Sequence, residues 1–77
     1  MEDAQVRLLF GRHLQTIRIA KGWSQEKLAF EAELDRTYVS SVERGRRNLS
    51  LINIYKLAKA LGVAPQSLLL TQEGKHE

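Results

Sequence analysis

Leu34–Ser50 reads LDRTYVSSVERGRRNLS, and the division of this stretch into a helix and a basic turn decides the fold. Asp35 is a good N-cap, because its carboxylate accepts from the free backbone amides of the turn that follows. Leu34 precedes the cap and Val39 lies four places beyond it, the spacing of a hydrophobic staple. Gly45 closes the helix after about two turns. Within those turns only Val39 and Val42 face a core, so the helix is held by its neighbours and not by its own apolar surface. Its other side offers Arg36, Thr37, Tyr38, Ser40 and Ser41, and Arg44, Arg46, Arg47 and Asn48 follow at once.

Helical spacing continues on both sides of this stretch. Val6, Phe10, Leu14 and Ile17 recur every three or four residues and predict a first helix ending near Lys21, with Gly22 positioned to close it. Trp23 leads into Ser24, an N-cap, and a second helix runs from about Gln25 to Ala32 with Leu28, Ala29 and Ala32 inward. Ser50 caps a fourth helix that faces Leu51, Ile54, Leu57, Ala58 and Leu61 inward and stops at Gly62. Pro65 suits the first turn of a short fifth helix holding Leu68 to Leu70. No strand, repeat or linker is legible. The expectation is one all-α domain of five helices over residues 1–70, followed by a polar tail over 71–77.

Composition narrows the function. The chain has 77 residues and no cysteine, which removes disulfides and thiolate metal sites. So small a chain needs efficient helix packing, a partner subunit, or both. The start, MEDAQVRLLF, is acidic before it is apolar, which argues against a secretory signal or a membrane span and places the protein in the cytoplasm. A net charge of +3 is too small to establish nucleic-acid binding, so the position of the charge says more than its sum. His13 and His76 have no acid and nucleophile near them in a pattern that supports catalysis. No ligand cluster supports a metal, and no cofactor is expected.

A short helix rich in donors, joined to the preceding helix by a few residues, is the helix-turn-helix arrangement that enters the DNA major groove. Arg36 suits guanine O6 and N7 in bidentate fashion, and Thr37 suits a thymine methyl or a base edge. Tyr38 is counted with the base contacts, its alternative being a partly buried structural role. Ser24 and Gln25, at the start of the second helix, suit a phosphate. Arg44, Arg46, Arg47 and Asn48 lie where a flanking phosphate strand would pass. Trp23 sits between two helix ends and reads as packing. Arg18 and Glu43 are read as a partly buried ion pair tying the reading helix to the first helix.

The runs IRIAKGWSQEKLA, LDRTYVSSVERGRRNLSLINIYKLAKALGV and APQSLL resemble the Xre, or lambda-repressor-like, helix-turn-helix family over about residues 6–70. RTYVSSVERGRRN is most similar to the controller proteins of restriction–modification systems. The resemblance implies a five-helix domain that binds a palindromic operator in double-stranded DNA as a homodimer. It further implies that Ser24 and Gln25 meet phosphate, that Arg36, Thr37 and Ser41 face base edges, and that Arg18 and Glu43 form the family's internal ion pair. Controllers of this kind regulate their own gene and that of the endonuclease, and pairing of dimers on DNA is a further expectation. Phe30 and Ala64 depart from the common pattern, Phe30 standing where many members are polar.

Ile52, Tyr55, Val63, Leu68 and Leu70 exceed the needs of a small core and are assigned to a two-fold interface, while Leu69 is expected to complete the monomer core. A dimer would set the two reading helices about 34 Å apart, one turn of DNA. Activation would require contact with RNA polymerase, for which Glu26, Glu31 and Glu33 are the acidic candidates; ordinary solvated charge is their other reading. An antitoxin or prophage repressor of the same fold is the alternative within DNA binding. A protein-interaction module without DNA binding is the alternative outside it.

Overall fold

The computed structural model describes residues 1–69; Leu70 and the polar tail lie outside the described residues. Five helices follow one another: α1 Asp3–Ala20, α2 Gln25–Ala32, α3 Arg36–Glu43, α4 Leu51–Leu61 and α5 Pro65–Leu69. The starts of α1 to α4 each have a local cause. Ser24 Oγ accepts from the Lys27 amide at 3.0 Å, Asp35 Oδ1 from the Thr37 amide at 2.7 Å, and Ser50 Oγ from the Asn53 amide at 3.1 Å. At the head of α1 the Glu2 amide donates to Gln5 Oε1 at 3.3 Å.

α1 to α4 also end alike. In each, an amide beyond the helix reaches back five residues: Trp23 to the Arg18 carbonyl, Leu34 to Ala29, Arg46 to Ser41 and Val63 to Ala58, all at 2.9–3.1 Å. This closure needs a left-handed residue just past the helix. Gly22, Gly45 and Gly62 supply it after α1, α3 and α4, but after α2 the residue is Glu33, at φ 59°. A left-handed residue with a Cβ carries a cost of about 1–2 kcal/mol, so the turn between α2 and α3 holds a strained glutamate.

Phe10, Leu14, Leu28, Ala29, Ala32, Val39, Val42, Leu57, Ala58, Leu61 and Leu68 form a single core. α3 packs on α1 and α2, α4 on α2 and α5, and α5 returns to α1. The crossing of α1 over the end of α3 depends on Gly11. A Cβ there would lie 2.6 Å from the Glu43 carbonyl oxygen and closer still to that of Val42. The second close approach is at Gly45, whose Cβ would stand 2.8 Å from Leu8 Cα.

Several expectations about the core are corrected. Leu68, assigned to a dimer interface, is fully buried within one chain, with 0% of its surface exposed. Leu69, expected in the core, is exposed instead. Adjacent residues on a helix differ by about 100°, so three consecutive leucines do not disclose which one points inward. Tertiary contact decides: His13 Nε2 donates to the Ser67 carbonyl at 2.6 Å and sets the roll of α5 against α1. Val6 and Leu51, both read as inward, are exposed because each lies in the first turn of its helix, short of the packed region. Leu70 falls outside the described residues.

Two substitutions test the backbone geometry with opposite signs. Glu33→Gly relieves the left-handed strain at the cost of added freedom in the unfolded chain, and should stabilise by about 0.5–1 kcal/mol. Gly11→Ala forces α1 away from α3 and should destabilise by about 1–3 kcal/mol. Urea unfolding followed by circular dichroism measures both.

Candidate nucleic-acid interface

The exposed side of α3 takes its position from a buried polar hub at the other end of that helix. Arg18 on α1 and Glu43 on α3 are only 7% and 5% exposed. Arg18 Nε donates to Glu43 Oε2 at 2.6 Å and Nη2 to Oε1 at 3.0 Å, a bidentate pair. The remaining arm is used as well: Nη1 donates to the Trp23 carbonyl at 2.7 Å. Gln25 Nε2 adds a third donor to Glu43, reaching Oε1 at 3.0 Å. One ion pair thereby joins α1, the turn after it, the first residue of α2 and the last residue of α3. Among the described residues no buried side-chain polar atom lacks a partner.

On a period of 3.6 residues, Thr37, Ser41 and Arg44 fall opposite the buried edge made by Val39, Val42 and Glu43. Arg36 and Ser40 flank them on one side and Tyr38 on the other. Arg36, Thr37, Arg44, Arg46, Arg47 and Asn48 are exposed, while Ser41 and Tyr38 are half-buried. The backbone carries the turn beyond α3 tightly around Gly45, whose carbonyl accepts from Arg7 Nε at 3.3 Å. Guanidinium groups, hydroxyls and a phenol thus share one face with a turn of further guanidinium groups. Such a face can form charge-assisted bonds to phosphate and bidentate bonds to a purine edge.

The Gln25–Glu43 bond ties the start of α2 to the last residue of α3. Ser24 Oγ serves as the cap acceptor, and its own hydrogen remains to donate outward. Gln25 is less free than the sequence suggests, since one amide hydrogen is committed to Glu43. Lys21 and Lys27 stand 5.0 and 5.5 Å from the centre of the Trp23 ring, so Trp23 organises two cations at this helix end.

The sequence offered no signal for four tertiary contacts. Gln25 to Glu43 spans 18 residues, and His13 to Ser67 spans 54. Asn53 Nδ2 donates to Tyr38 Oη at 3.0 Å, and Arg47 sits 5.4 Å from the centre of the same ring. Tyr38, read as a base contact or a structural residue, is therefore tied to α4 and to the basic turn. Of the residues assigned to a dimer interface, Ile52 and Tyr55 are exposed on α4, Val63 is half-buried, and Leu68 is enclosed. Leu51 and Leu69 add exposed apolar surface that the sequence reading placed inside.

Among the described residues no helix is long and apolar enough to cross a membrane. The family model described as helix-turn-helix matches residues 14–68. The chain is 60% identical over 65 residues to the control protein C.BamHI of Bacillus amyloliquefaciens, covering 83% of this chain and 80% of that protein. The crystal structure of the restriction–modification controller protein C.AhdI from Aeromonas hydrophila matches with a TM-score of 0.79 and 57% identity, over 79% of this chain and 92% of that one. The controller C.Esp1396I, solved as a tetramer with its natural 35 base-pair operator, matches with a TM-score of 0.76 and 35% identity, over 82% of this chain and 83% of that one. The chain belongs to the helix-turn-helix family of DNA-binding transcription regulators, in the group of restriction–modification control proteins.

Removing the Glu43 charge tests the hub. Glu43→Gln leaves the Arg18 guanidinium buried without a counter-charge and should cost about 3–5 kcal/mol of stability. Joint replacement of Arg18 and Glu43 by Met and Leu should cost much less, since a buried pair exchanged for apolar groups is close to neutral. Thermal unfolding of the single and double variants distinguishes the two cases.

Proposed function

We propose that the protein acts in the cytoplasm as a homodimer on a palindromic operator, controlling its own promoter and that of a neighbouring endonuclease gene. The observation that carries this reading is the face of α3, where exposed Arg36 and Thr37 and half-buried Ser41 lie beside exposed Arg44, Arg46, Arg47 and Asn48. In this reading Arg36, Thr37, Ser41 and Tyr38 meet base edges, while Ser24, Gln25, Arg44, Arg46, Arg47 and Asn48 hold the sugar-phosphate backbone. Identity of 60% and 57% to two restriction–modification control proteins supports the placement on such promoters.

The two-fold interface falls to Ile52, Tyr55 and Val63, with Leu51 and Leu69 beside them and Leu68 withdrawn into the core. A reading helix of eight residues spans few base pairs, so two copies about one DNA turn apart supply the selectivity. Pairing of dimers extends to this chain the tetrameric state seen for C.Esp1396I on its operator. Activation adds contact with RNA polymerase. Glu26 and Glu33 are exposed for it, whereas Glu31 is engaged by Lys27 at 3.0 Å.

Selection of bound duplexes from a random pool should enrich a palindrome with half-sites about one turn apart. Failure to bind any duplex at low ionic strength would overturn the reading. Arg36→Ala should cost about 1–3 kcal/mol and relax preference at one base position. Arg46→Ala should weaken all sequences alike and lower the salt slope by about one unit. Binding titrations over a salt series measure both effects. Tyr55→Asp should yield folded monomers by sedimentation with specific binding lost.

A further inference from the structure

Tyr38 is held at two points. Its hydroxyl oxygen accepts from the side-chain amide of Asn53 on α4, and Arg47 lies over its ring. Asn53 is itself well placed, because its backbone amide donates to Ser50 Oγ in the capped first turn of α4. We propose that Asn53, without touching DNA, is a positioning residue that makes Tyr38 a hydrogen-bond donor toward the operator and so determines which base edge Tyr38 accepts.

The polarity of one contact leads to this assignment. A phenol has one O–H and two acceptor positions. With an amide N–H directed at the oxygen, the hydroxyl hydrogen cannot point at the same nitrogen and turns away from α4. Arg47 restrains the ring plane from its face, so the direction of that hydrogen is set by α4 and the basic turn together. An outward O–H matches an acceptor in the major groove, such as guanine O6 or N7, adenine N7 or thymine O4. It mismatches the exocyclic amines of cytosine and adenine, which are themselves donors. The proposal rests on the DNA-reading function above and adds the chemistry of one contact within it.

Asn53→Asp is the decisive variant. The two side chains have nearly the same shape, but a carboxylate only accepts, so the Tyr38 hydrogen turns toward α4 and its lone pairs face outward. The substitution adds an acidic group to the first turn of α4, where the helix dipole favours it, and the fold is retained. Binding of Asn53→Asp, Tyr38→Phe and the double variant is measured on the selected operator and on duplexes with each half-site position replaced in turn. Thermal unfolding runs alongside. The added negative charge weakens every duplex, so ratios between duplexes are compared.

The expected result is a change of roughly 3- to 10-fold in discrimination at a single base position for Asn53→Asp, away from an acceptor and toward an exocyclic amine. Tyr38→Phe loses discrimination at that same position, and in its background Asn53→Asp changes nothing further there. Unchanged ratios between duplexes for Asn53→Asp overturn the proposal, as do effects of the two variants at different positions. Wild-type protein that binds no duplex overturns the DNA-reading function as well, so the two failures are distinct.

Discussion

The contact between Arg18 and Glu43 is the constraint on which the rest of the molecule depends. A buried ion pair adds little net stability compared with an apolar pair of the same size, so its value here is geometric. The bidentate form allows one orientation of the guanidinium, and the Trp23 carbonyl takes a further Arg18 donor while the Gln25 amide adds a third bond to the carboxylate. Beside it, Gly11 lets the backbone of α1 lie against the last carbonyls of α3. The C-terminal end of α3 is thereby fixed to α1 and α2, and its N-terminal end, with Arg36 and Thr37, projects.

This arrangement resolves a conflict that any small reading domain faces. A helix that presents polar groups on most of its circumference has little apolar area with which to bind its own protein. Val39 and Val42 supply the apolar share, and the hub supplies directional bonds that a third apolar residue would not. The polar face of α3 is then free of structural duty along Thr37, Ser41 and Arg44. Tyr38 is the exception, since Asn53 and Arg47 both engage it.

Donors and guanidinium groups gather around α3 and the turn after it, while exposed apolar residues include Leu51, Ile52 and Tyr55 on α4 and Leu69 on α5, with others at Met1, Val6, Leu8, Ile19 and Phe30. Fold alone does not assign function. Helix-turn-helix membership rests on the matched model, and the controller grouping rests on 60% identity to C.BamHI together with the structural match to C.AhdI.

Local chemistry in the chain was sufficient for the helices themselves. Ser24, Asp35 and Ser50 act as caps through their own oxygens, and Gly22, Gly45 and Gly62 close helices because a left-handed residue is needed within a few positions of each end. The basic turn and the donor-rich face of α3 are equally local, so the candidate site was legible in outline. Contacts between residues far apart in the chain were not. Three leucines in a row at positions 68–70 carry no information about which one is inside, and α5 acquires its roll only on packing against α4 and α1, where Leu68 is buried and the Ser67 carbonyl meets His13. Gln25 turns toward Glu43, and Tyr38 toward Asn53, because tertiary packing sets the distances. Glu33 closes α2 in a conformation that local propensity assigns to glycine, since the direction of α3 is imposed by its contacts with α1 and α2 and not by the turn residue.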